Sequence, residues 1–242
     1  MSFKNYVNVY EFPCTLPGNG QEVMFKPLTT RQIKKLLVYD DESDILQIVN
    51  ALNDLVSSSI TTEGFNIGEL YLKDRLNLLI EIRKKTKGET FEFQFKCPDC
   101  GSQSFNTLDL DSLETKEKDN ELGKIQVNDD ISIEIDHIKV SDEKEVIKSI
   151  DKKLSDNEKN FEYQINLLAS SIKSVIHPDG KDENIPFEDK TFLVNNTPNN
   201  LLQDIGNWLS DNWFGIWFET EYSCNSCSYK ETKEIPTNQL FI

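Results

Sequence analysis

Apolar residues change their spacing several times along this chain, and each change marks an expected element. Phe91, Phe93 and Phe95 alternate with Glu92, Gln94 and Lys96, the period of a strand with one buried face. After a short turn, Ser104-Phe105-Asn106-Thr107-Leu108 reads as the return strand. The same figure recurs near the end, where Ile216 to Tyr222 and Tyr229 to Thr232 flank a second short turn. At the start, Asn8 to Phe12 and Glu22 to Lys26 flank Pro17-Gly18-Asn19-Gly20, dense turn chemistry that predicts a hairpin. Lys124 to Val127 and Ile131 to Ile135 predict another around Asn128-Asp129-Asp130.

Helical spacing fills the rest. Thr29 or Thr30 caps a helix with Ile33, Leu36 and Leu37 on its apolar side. A second, from about Ser43, carries Ile45, Ile48, Val49, Leu52, Leu55 and Val56. A third runs from about Ile67 through Leu70, Leu76, Leu79 and Ile80 to Arg83. Arg83, Lys84, Lys85 and Lys87 close it before Gly88; basic residues there complement the helix dipole and glycine suits the position after the last turn. Beyond the charged stretch Asp109 to Asp119, Val146, Ile147, Ile150 and Leu154 mark a helix from about Asp142. Phe161, Ile165, Leu168, Ala169, Ile172, Val175 and Ile176 mark another, ending at the turn His177-Pro178-Asp179-Gly180. A short helix follows Pro186-Phe187, and Thr197-Pro198 caps and opens one with Leu201, Leu202, Ile205, Trp208 and Leu209. The expected class is α+β: an N-terminal β-hairpin, helices and first knuckle over 1–108, an inserted β-hairpin plus helical subdomain over 109–211, and 212–242, which completes a split ribbon with 89–108.

The two strand-turn-strand figures carry the chemistry. Their tips read Cys97-Pro98-Asp99-Cys100 and Cys224-Asn225-Ser226-Cys227. C-x2-C lets two thiolates of one tight turn bind the same ion, and two such turns supply the four ligands of a closed tetrahedral Zn2+ site. Cys97, Cys100, Cys224 and Cys227 are therefore the expected ligands of a structural Zn2+ in a zinc ribbon whose halves are separated by the insertion. Redox pairs or disulfides are the other readings; neither turn opens a helix as a thioredoxin-like pair would, and no secretory signal favours disulfides.

Composition narrows the function. The chain has 242 residues, 37% hydrophobic and 28% charged, a globular balance. A net charge of −16 works against nucleic-acid binding, and capping accounts for the basic run at 83–87. No apolar run approaches the roughly 20 residues of a membrane span, and Met1 to Tyr6 opens no signal peptide. Cys14, the fifth cysteine, reads as a small buried residue. No P-loop, nucleophile elbow or metalloprotease motif occurs, and His137 and His177 have no catalytic company. A non-enzymatic protein without a small-molecule substrate is expected. Trp213 to Phe218 is the richest aromatic run; it either buries the junction of helices and ribbon or, with Leu201 to Leu209, offers a contact surface.

The order of these parts resembles the T4-like bacteriophage baseplate hub subunit and assembly-protein family. The resemblance rests on Phe25-Lys26-Pro27-Leu28 before two helices, on Phe65-Asn66-Ile67-Gly68-Glu69-Leu70-Tyr71-Leu72, and on Ile82-Arg83-Lys84-Lys85-Thr86-Lys87-Gly88-Glu89 before a knuckle strand. A helix like Phe161 to Ile176, the turn after it and an aromatic approach to a second C-x2-C extend it over nearly the whole chain. It implies a hub component or hub assembly factor of a contractile-tailed phage, with other phage baseplate hub or tail proteins as partners. The implied place is the host cytoplasm during assembly, or the virion baseplate. A zinc-ribbon protein–protein adaptor outside the tail is the alternative.

Overall fold

The computed structural model describes residues 10–36, 45–198, 200–235, 237 and 240–241. Asn8 and Val9 of the expected first strand, Leu37 of the first helix and Ser43 at the start of the second lie outside the described residues. The fold is α+β, with helices and small antiparallel sheets. No described helix is long and apolar enough to cross a membrane.

β1 (Phe12–Thr15) pairs with β2 (Glu22–Phe25), Phe12 opposite Phe25 and Cys14 opposite Val23. Among the described residues the strand starts at Phe12, and Tyr10 and Glu11 lie outside it. Pro13 fits because Met24, opposite it, turns its N–H away to Thr62 Oγ1 at 2.7 Å, so no ladder bond is lost. α1 (Thr30–Leu36) starts at a capping box: Gln32 Oε1 accepts from Thr29 N at 2.8 Å and Gln32 N donates to Thr29 Oγ1. α2 (Ile45–Ser59) follows.

The single helix expected from Ile67 is broken. A short 3-10 turn at Ile67–Glu69 is followed by extended Leu70 and Tyr71, and α3 is Leu72–Lys87. Tertiary pairing overrides the helical period here: Val140 N donates to Leu70 O at 2.8 Å and Leu72 N to Ile138 O at 2.9 Å. At the far end Arg83 donates to Gly88 O at 2.7 Å and Thr90 O at 3.0 Å, and Gly88 takes φ +93. The basic run thus closes its own helix, and Lys84 is engaged by Glu81 and Asp111.

β3 (Thr90–Lys96) and β4 (Gln103–Asp109) form the first knuckle hairpin. The charged stretch beyond it lies along the body: Leu110 is buried, β5 (Thr115–Lys116) forms a short ladder, and Lys118 meets Asp136 at 3.0 Å. β6 (Gly123–Gln126) and β7 (Ser132–Ile135) begin a four-stranded antiparallel sheet. α4 (Val140–Ser149) and α5 (Asp156–Ser170) come next.

The expected helix through Ile176 ends at Ser170, and β8 (Ile172–His177) takes its last third. The hydroxyls of Ser170 and Ser171 turn back onto Leu167 O and Leu168 O at 2.6 and 2.7 Å. Ile172 and Ser174 then face inward on alternate positions, and β-branched Ile172, Val175 and Ile176 suit a strand. β9 (Gly180–Asp182) completes the sheet in the order β6-β7-β8-β9. α6 (Phe187–Asn196) precedes α7 (Asn200–Asp211). Thr197 serves the end of α6, its hydroxyl on Leu193 O at 2.9 Å, rather than capping α7. β10 (Gly215–Ile216) pairs with β5, and β11 (Glu219–Ser223) with β12 (Lys230–Glu234).

One apolar cluster gathers Phe25, Val56, Leu78, Ile80, Phe91, Ile216 and Phe241; a second gathers Ile133, Ile135, Ile172 and Ile205; a third joins Leu46 to Val146 and Ile150. Among them lies a polar joint. Arg75 grips Glu143 with both terminal nitrogens, Asn53 accepts from Arg75 at 2.9 Å and donates to Glu143 at 3.3 Å, and Tyr163 OH donates to Glu143 at 2.7 Å. Glu143 is fully buried, and α2, α3, α4 and α5 each give one residue to this set.

Candidate metal centre

The two knuckle hairpins stand side by side, each an independent two-stranded ladder. In β3 the alternation puts Phe91 and Phe93 into the core, which anchors the base. Tyr222 of β11 packs its ring against Phe93 and Phe95, both at 5.0 Å. Side chains replace the missing ladder between hairpins. Asn106 donates to Ser223 O at 3.1 Å and accepts from Ser223 N at 3.0 Å; Asn225 Oδ1 accepts from Phe105 N at 2.9 Å, and Ser104 Oγ from Asn225 N at 3.0 Å.

Each tip is a tight turn. Cys97 N donates to Ser102 O and Gly101 N to Cys97 O, both at 2.9 Å, with Gly101 at φ +71. Cys224 N donates to Tyr229 O at 3.0 Å, and Ser226 N to Cys224 Sγ at 3.3 Å. These turns bring Cys97, Cys100, Cys224 and Cys227 together, with all four Sγ within 4.8 Å of one another. Cys97 Sγ is 3.7 Å from Cys227 Sγ and Cys100 Sγ 3.6 Å from Cys224 Sγ. Zinc–thiolate bonds of about 2.3 Å in a tetrahedron place sulfurs about 3.8 Å apart, so the donor set fits one such ion. All five cysteines are free thiols.

The neighbours prepare the sulfurs for a cation. Ser102 Oγ lies 2.9 Å from Cys100 Sγ and 3.4 Å from Cys224 Sγ, its one proton serving one sulfur at a time. Ser104 Oγ donates to Cys224 Sγ at 3.4 Å. These hydroxyls, with the Ser226 amide, pull the Cys224 thiol down to about 5. Ser102 lowers Cys100. Cys227 moves the other way, raised by desolvation and by the three sulfurs around it. A divalent ion among them would stabilise every thiolate at once. Ser102, Ser104, Asn106 and Asn225 were not singled out by sequence reasoning. Their signal was faint: small polar residues within or just beyond each knuckle.

Among the described residues no other set of three or more metal-ligating side chains converges. His137 is buried with Nε2 2.9 Å from Asn212 O, and His177 sits in the β8–β9 hairpin 3.2 Å from Asp182. Cys14 is buried among apolar residues, its thiol pushed up to about 12 mainly by that burial. The aromatic run Trp213 to Phe218 is mostly core: Phe214, Ile216 and Phe218 are buried. Trp217 alone of it is plainly exposed, at 41%, edge-on to Trp213 at 5.0 Å. Of the contact surface expected from this run and Leu201 to Leu209, Trp217 is the exposed member of the run, Leu201 and Ile205 are buried, and Leu202, Trp208 and Leu209 are partly buried against the second cluster.

A family model described as T4 bacteriophage base plate protein matches residues 8–241. Neither the curated proteins nor the solved structures give a match.

Proposed function

Because the chain belongs to the T4 bacteriophage base plate protein family, we propose that it is a non-enzymatic component of the baseplate hub, or a factor guiding hub assembly, in a contractile-tailed phage. The match along residues 8–241 carries the baseplate role and implies contact with other baseplate proteins. The order of segments, alike in both halves to hub proteins, supports the hub in particular. The non-enzymatic reading rests on how the converging polar groups are used. The four thiols face one another in a shell that closes on itself, and the Arg75–Glu143 set is satisfied internally.

Cys97, Cys100, Cys224 and Cys227 would hold one Zn2+, whose four thiolate bonds leave no position for water or substrate. The ion would supply cross-linking alone, tying cysteines 130 and 124 positions apart. The chain itself does the aligning: Asn106 and Asn225 set the two hairpins in register, and Ser104 and the Ser226 amide hold Cys224 ready as a thiolate. Residues 109–211 would form the subdomain inserted between the ribbon halves, and the protein would act in the host cytoplasm during assembly or remain in the virion baseplate.

The test is a deletion phage with complementation in trans, together with mass spectrometry of purified virions. Loss of complete, infectious tails, restored by the intact chain, is expected. Infectious tails made without the protein would overturn the function, and the virion spectra separate hub component from assembly factor.

A further inference from the structure

α5 and α6 pack side by side and leave a groove of about 390 Å3 between them. Ile165 and Phe187 line it, and both are braced from below, Ile165 on the second apolar cluster and Phe187 on the third. Phe161, in the lining, is 65% exposed, and Phe192 of α6, one turn beyond the lining residue Glu188, is 67% exposed. The rest of the lining is polar, with Ser149 at the end of α4, Asn166, Thr191 and Asn195 beside Glu162 and Glu188, and it carries no cation. A preformed apolar floor, two solvated phenylalanines and an acidic rim are the parts of a docking groove.

The walls decide what shape fits. All of them are helical, α5, α6 and the end of α4 at Ser149, so the groove offers no strand edge for β-addition. An incoming segment must satisfy its own backbone, which an amphipathic helix does. Charge decides its sign. Glu162 and Glu188 favour Lys or Arg flanking the apolar face, and a second copy of this chain, itself at −16, is repelled. We propose that the α5–α6 groove docks a basic-flanked amphipathic helix carried by another tail protein. Only the origin of that helix rests on the baseplate reading; the groove chemistry stands apart from it.

The probe is a short synthetic Leu/Lys peptide whose leucines fall on one helical face, titrated into the full-length zinc-loaded protein and followed by fluorescence anisotropy. Two controls accompany it: the same composition scrambled so that no face forms, and a Leu/Glu helix. Saturable binding of the faced Leu/Lys helix alone is expected. Phe161→Ser and Phe192→Ser should each weaken it about tenfold or more with melting temperature and zinc content unchanged, since both side chains are exposed. Glu162→Lys with Glu188→Lys should transfer preference to the Leu/Glu helix. Absence of saturable binding, equal binding of the scrambled peptide, or full affinity in the phenylalanine variants would overturn the proposal. In the phage, the Phe161→Ser/Phe192→Ser chain should fail to rescue a deletion. Normal rescue, where the deletion itself blocks tails, sinks the groove and leaves the baseplate function standing. If the deletion leaves tails infectious, that function falls and the peptide titration alone decides the groove.

Discussion

Two joints bring distant parts of this chain together, and they do so by opposite means. At the ribbon tip, sulfurs of two hairpins lie 3.6 to 3.7 Å apart near the surface, with Cys100 and Cys227 exposed. In the body, Arg75, Glu143, Asn53 and Tyr163 tie α2, α3, α4 and α5 with every charge answered. Burial raises the Tyr163 hydroxyl well above its usual range, keeping it a donor to Glu143. The first joint gathers like groups in a set that fits one cation; the second gathers opposite groups that satisfy one another. The tip should therefore respond to metal and leave the body intact, whereas breaking one member of the buried set should bring the body down whatever the metal does.

The largest effect belongs to the tip. Structural zinc sites contribute about 10–16 kcal/mol of apparent binding energy at neutral pH. Cys224→Ser should leave well under one zinc per chain by elemental analysis, with loss of amide-exchange protection confined to 90–109 and 219–234, and aggregation through the loosened ribbon. A variant that keeps a full zinc, or that loses protection equally in α2 to α5, would erase the contrast.

Next comes the body. Arg75→Met strands a buried carboxylate and should lower stability by about 3–5 kcal/mol in urea unfolding, with zinc content unchanged. Pairing it with Glu143→Leu removes both charges and should recover much of the loss. If the double variant is as unstable as the single one, packing and not charge pairing dominates this joint.

The two joints also differed in what the sequence disclosed. The thiols were legible because C-x2-C is a local spacing with one strong chemical meaning. Arg75 and Glu143 were not, because each reads as an ordinary surface charge on an amphipathic helix, and only the meeting of α3 with α4 makes them a pair. Register failed for a related reason. Leu70 and Tyr71 keep a helical period, but Tyr71 bridges to Lys139: Leu70 O accepts from Val140 N and Leu72 N donates to Ile138 O. Ile172 and Val175 suit a helix face or a strand, and the pairing with β7 decides. Local signals fixed the hairpin tips and most helices; long-range pairing set the breaks.

A smaller change sharpens the tip itself. Ser104→Ala removes the hydroxyl donor to Cys224 Sγ and the acceptor for Asn225 N. Groups supporting a metal ligand are worth about 10–100-fold in affinity, so a competition titration with a chromophoric chelator should show zinc held about tenfold more weakly, at full stoichiometry. Unchanged affinity would mean that the thiols alone define the site.

The smallest effect separates two buried groups of the body by pH. Burial pushes Asp74 up to about 6 from 3.8, although Gly18 N donates to it at 2.7 Å. Burial also pushes His137 down to about 4 from 6.5, against the pull of Asn212 O and Asp136. Lys118 bears on both groups, and Lys73 on His137. The signs oppose. Folded Asp74 holds a proton between pH 3.8 and 6 where the unfolded chain does not, so its contribution grows as pH falls through 6 and is complete below 3.8. His137 binds its proton first in the unfolded chain, so its contribution is complete above pH 6.5 and is lost as pH falls toward 4. Between pH 7 and 5 each is worth on the order of 1 kcal/mol, and they nearly cancel. Asp74→Asn keeps the acceptor for Gly18 and removes one arm. Acidification from pH 7 to 5 should then lower the variant's stability by about 1 kcal/mol more than the parent's, with the ribbon common to both and dropping out of the difference. Parallel pH curves would show that Asp74 does not titrate between the two states, and that the body, unlike the tip, holds no proton-linked contact at this end of α3.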